Sequence, residues 1–459
     1  MQRELFGTDG IRGRANHHPM TVEIAMRVGR ALGYLVKQGK LGRALEKGHR
    51  GRIVIGKDTR RSGYMIEQAI AAGITSMGVN VLFVGPLPTP GIAFVTQSMR
   101  ADAGVVVSAS HNPFEDNGIK IFGHDGYKLP DEVEFELERL VLTSAIDDER
   151  PDGREVGRAR RIDDAVGRYV VYLKTTFPNE FTLDGMRIVV DCAHGAAYKV
   201  APIVFRELGA EVIALGVEPN GSNINDGVGS LFPEGVKRKV RELRADLGIC
   251  LDGDADRVIV VDENGATIEG DAVMAMCALE LHRRGALKND TLVTTVMSNI
   301  GLDTCLKKAG IRVERTQVGD RYVVERMREG KFNLGGENSG HLIFLDSTTT
   351  GDGIVAALAI LGVMCRDKKT PSELASVFKP MPQVLLSIQV GKKTPLNELD
   401  EVTSLIAKVE KRLAGKGRVL VRYSGTEMKA RVMVEGASPT AIAEDAENIA
   451  NAILKACPV

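Results

Sequence analysis

The sequence predicts an α/β protein: three related α/β domains with mixed, mainly parallel sheets plus a C-terminal α+β domain, set around a central cleft. Three observations carry this expectation. First, an apolar strand, a loop, a helix and a glycine that stops the helix and opens another strand recur three times. The copies are RIVIGKDTR with YMIEQAIAAGITSMG and VNVLFVG, RIVVDCAHG with YKVAPIVFRELG and AEVIALG, and TLVTTVMSN with GLDTCLKKAG and IRVERTQVG. Strand–helix–strand in this rhythm implies parallel pairing through right-handed crossovers. Second, GVVVSASHNP at Gly104–Pro113 and GICLDGDADR at Gly248–Arg257 are built alike. Each follows an Ala-Asp-x-Gly opening, at Ala101 and at Ala245, and then places polar groups at alternate positions. Third, from Met381 the pattern changes to a strand (VLLSIQVG), a helix over Leu399–Leu413, a paired RVLVRYSGTE and ARVMVEG, and a closing helix over Pro439–Ala456, which is an α+β unit. The expected domains are 1–165, 166–265, 266–378 and 379–459.

Composition fits a soluble multidomain protein, with 459 residues of which 44% are hydrophobic and 26% charged. Lys+Arg and Asp+Glu balance at 60 each, which speaks against a nucleic-acid or membrane partner but leaves room for a small anionic substrate at local basic loops. The basic stretch from Lys37 to Arg52 reads as a solvated loop between elements. Six cysteines lie far apart with no C-x-x-C pair, as free thiols do, so a reducing cytoplasm is the expected location. The N-terminus lacks a signal-peptide layout, and the longest apolar run, Ile354–Cys365, reads as a buried helix.

The chemistry gathers in loops expected at the carboxyl ends of strands, where open α/β sheets bind ligands. Asp252, Asp254 and Asp256 alternate, so an extended segment would point them at one cation. An EF-hand would want glycine at Arg257 and a helix afterwards, whereas VIVVDENG reads as strand and turn. Oxygen ligands favour Mg²⁺ over softer metals. In SASHNP either Ser108 or Ser110 is the reactive hydroxyl, and His111 and Lys120 offer a polarising group and a proton carrier, although His111 equally suits a structural role. A hydroxyl facing a carboxylate nest is a phosphoryl-transfer arrangement. The third domain carries a helix over Asp320–Glu329, a strand over Phe332–Leu334 and the loop GGENSGH at Gly335–His341. In the last domain the turn from Arg422 to Glu427, with Arg431 nearby, gathers guanidinium, hydroxyls and glycine as a phosphate grip would. There is no G-x-S-x-G elbow, no P-loop and no dinucleotide fingerprint.

These motifs, together with FGTDGIRG at Phe6–Gly13, GKDTR at Gly56–Arg60, VGDRYV at Val318–Val323 and TTTGDG at Thr348–Gly353, occur in the order found in the α-D-phosphohexomutases. The chain resembles that family along its whole length, and within it the bacterial phosphoglucosamine mutase branch. The resemblance implies that Ser110 is the phosphorylated residue and that Asp252, Asp254 and Asp256 hold one Mg²⁺ together with it. It implies catalytic parts for His111, Lys120, Arg12 and Arg257. Asp320, Arg321, Glu337, Ser339 and His341 fall among the sugar contacts, and Arg422, Ser424, Gly425, Thr426 and Arg431 form the phosphate loop. The implied reaction interconverts glucosamine 6-phosphate and glucosamine 1-phosphate through a phosphoserine and a hexosamine 1,6-bisphosphate, which also serves as activator, and supplies amino-sugar precursors for cell-wall synthesis. Implied partners are small sugar phosphates, with a homodimer left open. Phosphomannomutase or phosphoglucomutase activity is the alternative within the family; a phosphoserine phosphatase and a sugar-phosphate sensor are the alternatives outside it. The chain departs from the usual pattern at Met428-Lys429-Ala430, where a proline and an apolar residue are common.

Overall fold

The computed structural model describes residues 4–7, 9–41, 50–424 and 428–458. A hairpin, β1 (Phe6–Gly7) and β2 (Gly10–Arg14), and helix α1 (Val22–Lys37) open the chain. The first repeat runs β3 (Arg52–Lys57), α2 (Gly63–Ser76), β4 (Asn80–Pro86), α3 (Thr89–Ser98), β5 (Ala103–Val107) and β6 (Asp116–Gly123). After α4 (Asp131–Leu142), β7 (Ala159–Arg161) and α5 (Ala165–Thr175), the second repeat runs β8 (Arg187–Asp191), α6 (Val200–Glu207), β9 (Glu211–Leu215), α7 (Glu234–Leu243), β10 (Leu247–Leu251) and β11 (Val258–Val261). Strand β12 (Thr267–Ile268) and helix α8 (Gly270–Arg283) lead to the third repeat. It comprises β13 (Thr291–Thr295), α9 (Gly301–Lys307), β14 (Arg312–Thr316), α10 (Asp320–Gly330), β15 (Leu334–Gly336) and β16 (Leu342–Phe344). Then come α11 (Gly353–Asp367), α12 (Pro371–Ala375), β17 (Gln383–Gln389), α13 (Asp400–Leu413), β18 (Arg418–Tyr423), β19 (Lys429–Glu435) and α14 (Pro439–Ala456).

The three repeats share one topology. In each, the first strand lies between the second and third, parallel to both, and the fourth returns antiparallel to the third: β4-β3-β5-β6, β9-β8-β10-β11 and β14-β13-β15-β16. The chemically loaded loop always joins the third strand to the fourth, and thus leaves the sheet at a carboxyl end.

The Ala-Asp-x-Gly signature explains this regularity and occurs a third time in disguise, as Phe332-Asn333-Leu334-Gly335. A left-handed residue precedes each copy, at Arg100, Arg244 and Lys331 with φ of 50°, 48° and 54°. The first residue of each copy then donates its N–H to the carbonyl five residues back, from Ala101 to Thr96, Ala245 to Val240 and Phe332 to Met327, closing the helix. The acidic or amide side chain accepts a backbone N–H from just before or at the start of the first strand: Asp102 from Arg52 at 2.8 Å, Asp246 from Arg187 at 2.7 Å and Asn333 from Lys288 at 2.9 Å. The glycine lets the helix lie on the strand. A Cβ at Gly104 would meet Thr96 Oγ1 at 2.2 Å, and one at Gly248 would meet Val236 Cγ1 at 2.5 Å.

The chain divides into two compact units, Met1–Val296 with Ile311–Val377, and Met297–Gly310 with Phe378–Val459. The first unit holds the seven-stranded, five-stranded and four-stranded sheets, and the second holds β17-β19-β18. The core of the first repeat is aliphatic, with Ile53, Ile55, Val105 and Val107 of the sheet buried against Leu32, Ile66 and Ile70 of the helices. The segment carrying α9 packs with the second unit: Asn299 accepts from Met381 N–H at 2.8 Å and donates to its carbonyl at 2.9 Å, and Arg418 donates to Ser298 O at 2.5 Å. The six cysteines are free thiols. Among the described residues no helix is long and apolar enough to cross a membrane. Residues 42–49, half of the basic stretch from Lys37 to Arg52, lie outside the described residues.

Candidate active site

The loop after β5 separates the two serines. Ser108 is fully buried; its Oγ donates to Asp58 Oδ2 at 2.6 Å and accepts the Ser110 N–H at 3.0 Å, so its hydroxyl braces the turn. Ser110 stands at φ 53°, a left-handed conformation uncommon outside glycine. Its Oγ donates to Asp252 Oδ2 at 2.7 Å and lies 3.4 Å from His111 Nδ1.

The aspartates converge, but not because the segment is extended. After β10 the chain turns tightly, with Ala255 at φ 58° and its N–H donating to Asp252 O at 3.1 Å. The curl gathers one carboxylate oxygen from each of Asp252, Asp254 and Asp256 within 4.8 Å of one another, all three side chains being buried. Asp254 Oδ1 and Asp256 Oδ1 are buried and make no hydrogen bond. Burial and the two neighbouring carboxylates push Asp252 well above the usual carboxylate range. An oxygen-seeking dication fits these donors, since it would satisfy the orphaned oxygens and relieve the repulsion. Thr89, at the start of α3, secures the middle aspartate: its Oγ1 donates to Asp254 Oδ2 at 2.7 Å and its N–H to Asp254 O at 3.0 Å.

Cations surround this nest. Lys120, on β6, is 2% exposed and lies 2.9 Å from Asp254 Oδ2, 3.2 Å from Asp9 Oδ2 and 3.5 Å from Asp256 Oδ2. Burial alone would lower its pKa, but these carboxylates hold it above the ordinary lysine value. His111 Nδ1 lies 3.0 Å from Arg257 Nη1; burial, with Arg257 and Arg12, pulls the imidazole down to about 4, leaving it neutral. Arg12 is paired with Asp9.

A circuit of ionic contacts joins the three repeats. Lys128 Nζ lies 2.5 Å from Asp9 Oδ1 and 2.6 Å from Asp320 Oδ2. His341 stands 3.7 Å from both Asp320 and Asp256, and Lys120 returns from Asp256 to Asp9. Burial disfavours the charged imidazole of His341, but Asp256, Asp320 and Glu337 raise it to about 9. Sequence reasoning missed Asp9, Thr89 and Lys128. Asp9 lies inside FGTDGIRG and could have been found there, whereas Thr89 and Lys128 carry no local signal.

The remaining predicted residues are placed less uniformly. Glu337 Oε1 accepts the Gly319 N–H at 3.2 Å, and Ser339 is exposed at the tip of the β15–β16 turn. Arg321 donates to both Asp131 and Glu134, so its guanidinium ties α10 to α4. In the second unit Arg422 and Arg431 are directly opposed across β18 and β19. Burial and Arg431 lower the Arg422 pKa, and its Nε is buried without a hydrogen bond. Two like charges placed opposite one another on adjacent strands repel. Ser424 follows on the same turn; Gly425 and Thr426 lie outside the described residues.

Family models for phosphoglucomutase/phosphomannomutase match almost the whole chain: alpha/beta/alpha domain I over residues 3–146, domain II over 168–265, domain III over 269–381 and the C-terminal domain over 365–452. Among solved structures, a phosphoglucomutase/phosphomannomutase family protein from Burkholderia thailandensis superposes with a TM-score of 0.80 at 24% identity, covering 98% of this chain and 97% of that one. The Aspergillus fumigatus N-acetylphosphoglucosamine mutase in complex with GlcNAc-6P and magnesium gives 0.67 at 18% identity, covering 99% and 96%. Both establish the shared fold. The phosphoglucosamine mutase of Geobacter sp. (strain M21) is 59% identical over 98% of both chains, and that of Myxococcus xanthus is 59% identical over 100% of this chain and 98% of its own. With that identity along nearly its entire length, the chain belongs to the phosphoglucosamine mutases of the phosphoglucomutase/phosphomannomutase family.

Proposed function

We propose that this isomerase interconverts glucosamine 6-phosphate and glucosamine 1-phosphate by a two-step transfer through phospho-Ser110. The observation that carries the reading is the Ser110 hydroxyl at 2.7 Å from a buried nest of three carboxylates, on a left-handed turn that no neighbouring serine shares. In the forward direction the Ser110 Oγ–P bond breaks as the sugar's 1-hydroxyl oxygen bonds to phosphorus and releases its proton to solvent, and a proton is taken up again by the 6-oxygen when its phosphoryl group departs in the second transfer. Glucosamine 1,6-bisphosphate turns over, its 6-phosphoryl returns to Ser110 Oγ, and glucosamine 1-phosphate leaves. The same bisphosphate, added in trace, keeps Ser110 phosphorylated.

Phosphoryl transfer asks the protein chiefly for alignment and charge neutralisation. Lys120, Arg12 and Arg257 supply fixed positive charge around the hydroxyl. Asp252, Asp254 and Asp256 would hold Mg²⁺, which when bound neutralises charge on the phosphoryl oxygens. Glu337 and Ser339 are assigned to the sugar hydroxyls, and Arg422, Ser424 and Arg431 to the phosphate that is not being transferred. Asp320 and His341 act as supports of the ionic circuit beside the sugar, and Arg321 as a brace. The division at 1–165, 166–265, 266–378 and 379–459, a cytoplasmic location and a place in amino-sugar supply for the cell wall belong to the same reading.

The test is an assay of the purified protein with glucosamine 6-phosphate, glucose 1-phosphate and mannose 1-phosphate, each with trace bisphosphate, with and without EDTA. A lost polar contact costs enough that glucosamine phosphate should be preferred roughly tenfold or more. EDTA should abolish turnover and Mg²⁺ restore it. Preference for mannose 1-phosphate would move the chain to the neighbouring branch, and full activity in EDTA would remove the metal.

A further inference from the structure

The carbonyl groups beneath the nucleophile are held by two side chains that touch neither the carboxylate nest nor any residue assigned to substrate. Arg60 is fully buried, and all five of its N–H bonds are committed. Nε donates to Asp58 Oδ2 at 2.8 Å, Nη2 to Ser110 O at 3.0 Å and Asn112 O at 2.8 Å, and Nη1 to Asp116 O at 3.1 Å and to Pro113 O. From the second repeat, Asn225 Nδ2 donates to the same two carbonyls, Ser110 O at 2.9 Å and Asn112 O at 3.0 Å. Asn225 is itself left-handed, at φ 60°, and its N–H donates to Ala193 O at 3.0 Å, which fixes where the amide can reach. Gly253, inside the aspartate turn, leaves the space: a Cβ there would meet Ser110 O at 2.6 Å and Asn225 Nδ2 at 2.8 Å.

We infer that Arg60 and Asn225 are positioning residues that clamp the Ser110 carbonyl and thereby hold the nucleophile in its left-handed conformation, with Oγ aimed at the carboxylates. The inference rests on Ser110 being the phosphoryl carrier. A left-handed serine is strained and persists only where surrounding contacts enforce it. Without the clamp the peptide relaxes, and Oγ leaves the position from which in-line transfer occurs. The clamp comes from two different repeats, so it also ties the SASHNP loop to the second repeat.

Asn225→Gly removes both donors and tolerates the left-handed backbone. Since a misplacement of about 1 Å costs on the order of 10²-fold in rate, kcat should fall by about that factor in the folded variant, while KM for glucosamine 6-phosphate stays within about threefold. Phosphorylation of Ser110 by glucose 1,6-bisphosphate, followed by intact mass after rapid quenching, should slow in parallel. Asn225→Asp keeps volume and backbone preference but turns the donor into an acceptor, and carries the same expectations if Asn225→Gly does not fold. A folded variant with unchanged kcat, or one in which only KM rises, overturns the clamp. Ser110→Ala run alongside separates the two ideas. Turnover retained by Ser110→Ala removes the carrier itself, whereas an inactive Ser110→Ala beside a fully active Asn225→Gly removes the clamp alone.

Discussion

Ser108 and Ser110 lie two residues apart on one loop, and their surroundings give them opposite roles. Ser108 is enclosed, spending its hydroxyl on Asp58 and on the Ser110 N–H, while Ser110 presents Oγ to Asp252. Ser110→Ala should therefore lose activity by several orders of magnitude. Ser108→Ala removes a buried brace, leaving Asp58 and one N–H short of a partner, and should cost about 1–3 kcal/mol of stability with much of the activity retained. Activity with glucosamine 6-phosphate and thermal unfolding of both variants check this; equal, mild losses of activity would remove the nucleophile assignment. At this scale residue type and spacing alone left the two serines open and only the family resemblance singled out Ser110, because their hydrogen-bond partners come from Asp58 and Asp252, 50 and 142 positions away in the chain. Lys128 was illegible for the same reason: its two carboxylate partners are 119 and 192 positions distant.

At the scale of elements, the Ala-Asp-x-Gly signature is a structural joint rather than a catalytic motif, though it first drew notice beside the catalytic loops. Its acid clasps the start of a neighbouring strand, and Asn333 does the same in the third repeat, where an amide oxygen serves as well as a carboxylate because only an acceptor is needed. That substitution hid the third copy from a reading that matched letters. The joint also yields a graded prediction. Asp102 is buried at its clasp, whereas Asp246 is exposed and water can replace it. Asp102→Ala should lower stability by about 1–3 kcal/mol and Asp246→Ala by under about 1 kcal/mol, with KM unchanged in both. Denaturant titration decides the order, and a larger effect at Asp246 would show that burial does not govern the joint. The alternating aspartates carry a related lesson: their convergence was foreseen, but it arises from a turn at Ala255, a left-handed alanine that no spacing rule reveals.

At the scale of the whole molecule, the threefold strand–helix–strand rhythm was legible because apolar periodicity and helix-stopping glycines are local. The packing of α9 with the second unit was not, since it depends on Asn299 and Met381 pairing 82 positions apart. A mutase that works through a bisphosphate must accept its sugar in two orientations, so one grip must serve the 1-phosphate and the 6-phosphate alike. The opposed guanidinium groups of Arg422 and Arg431, with a buried Nε lacking a partner, are suited to an anion and indifferent to which carbon bears it. A guanidinium–phosphate contact contributes about 1.5–3 kcal/mol, so Arg422→Ala should weaken binding of both glucosamine 1-phosphate and glucosamine 6-phosphate by roughly ten- to a hundredfold. Removing one of two like charges also relieves their repulsion, so the fold should be no less stable. Phosphorylation of Ser110 should remain detectable by intact mass, because on the proposed assignment the transferring group is held by Lys120, Arg12 and Arg257 instead. Calorimetric titration with each sugar phosphate measures the effect directly. Loss of only one of the two affinities would mean that each phosphate has its own site, and a mechanism with a single shared grip would have to be abandoned.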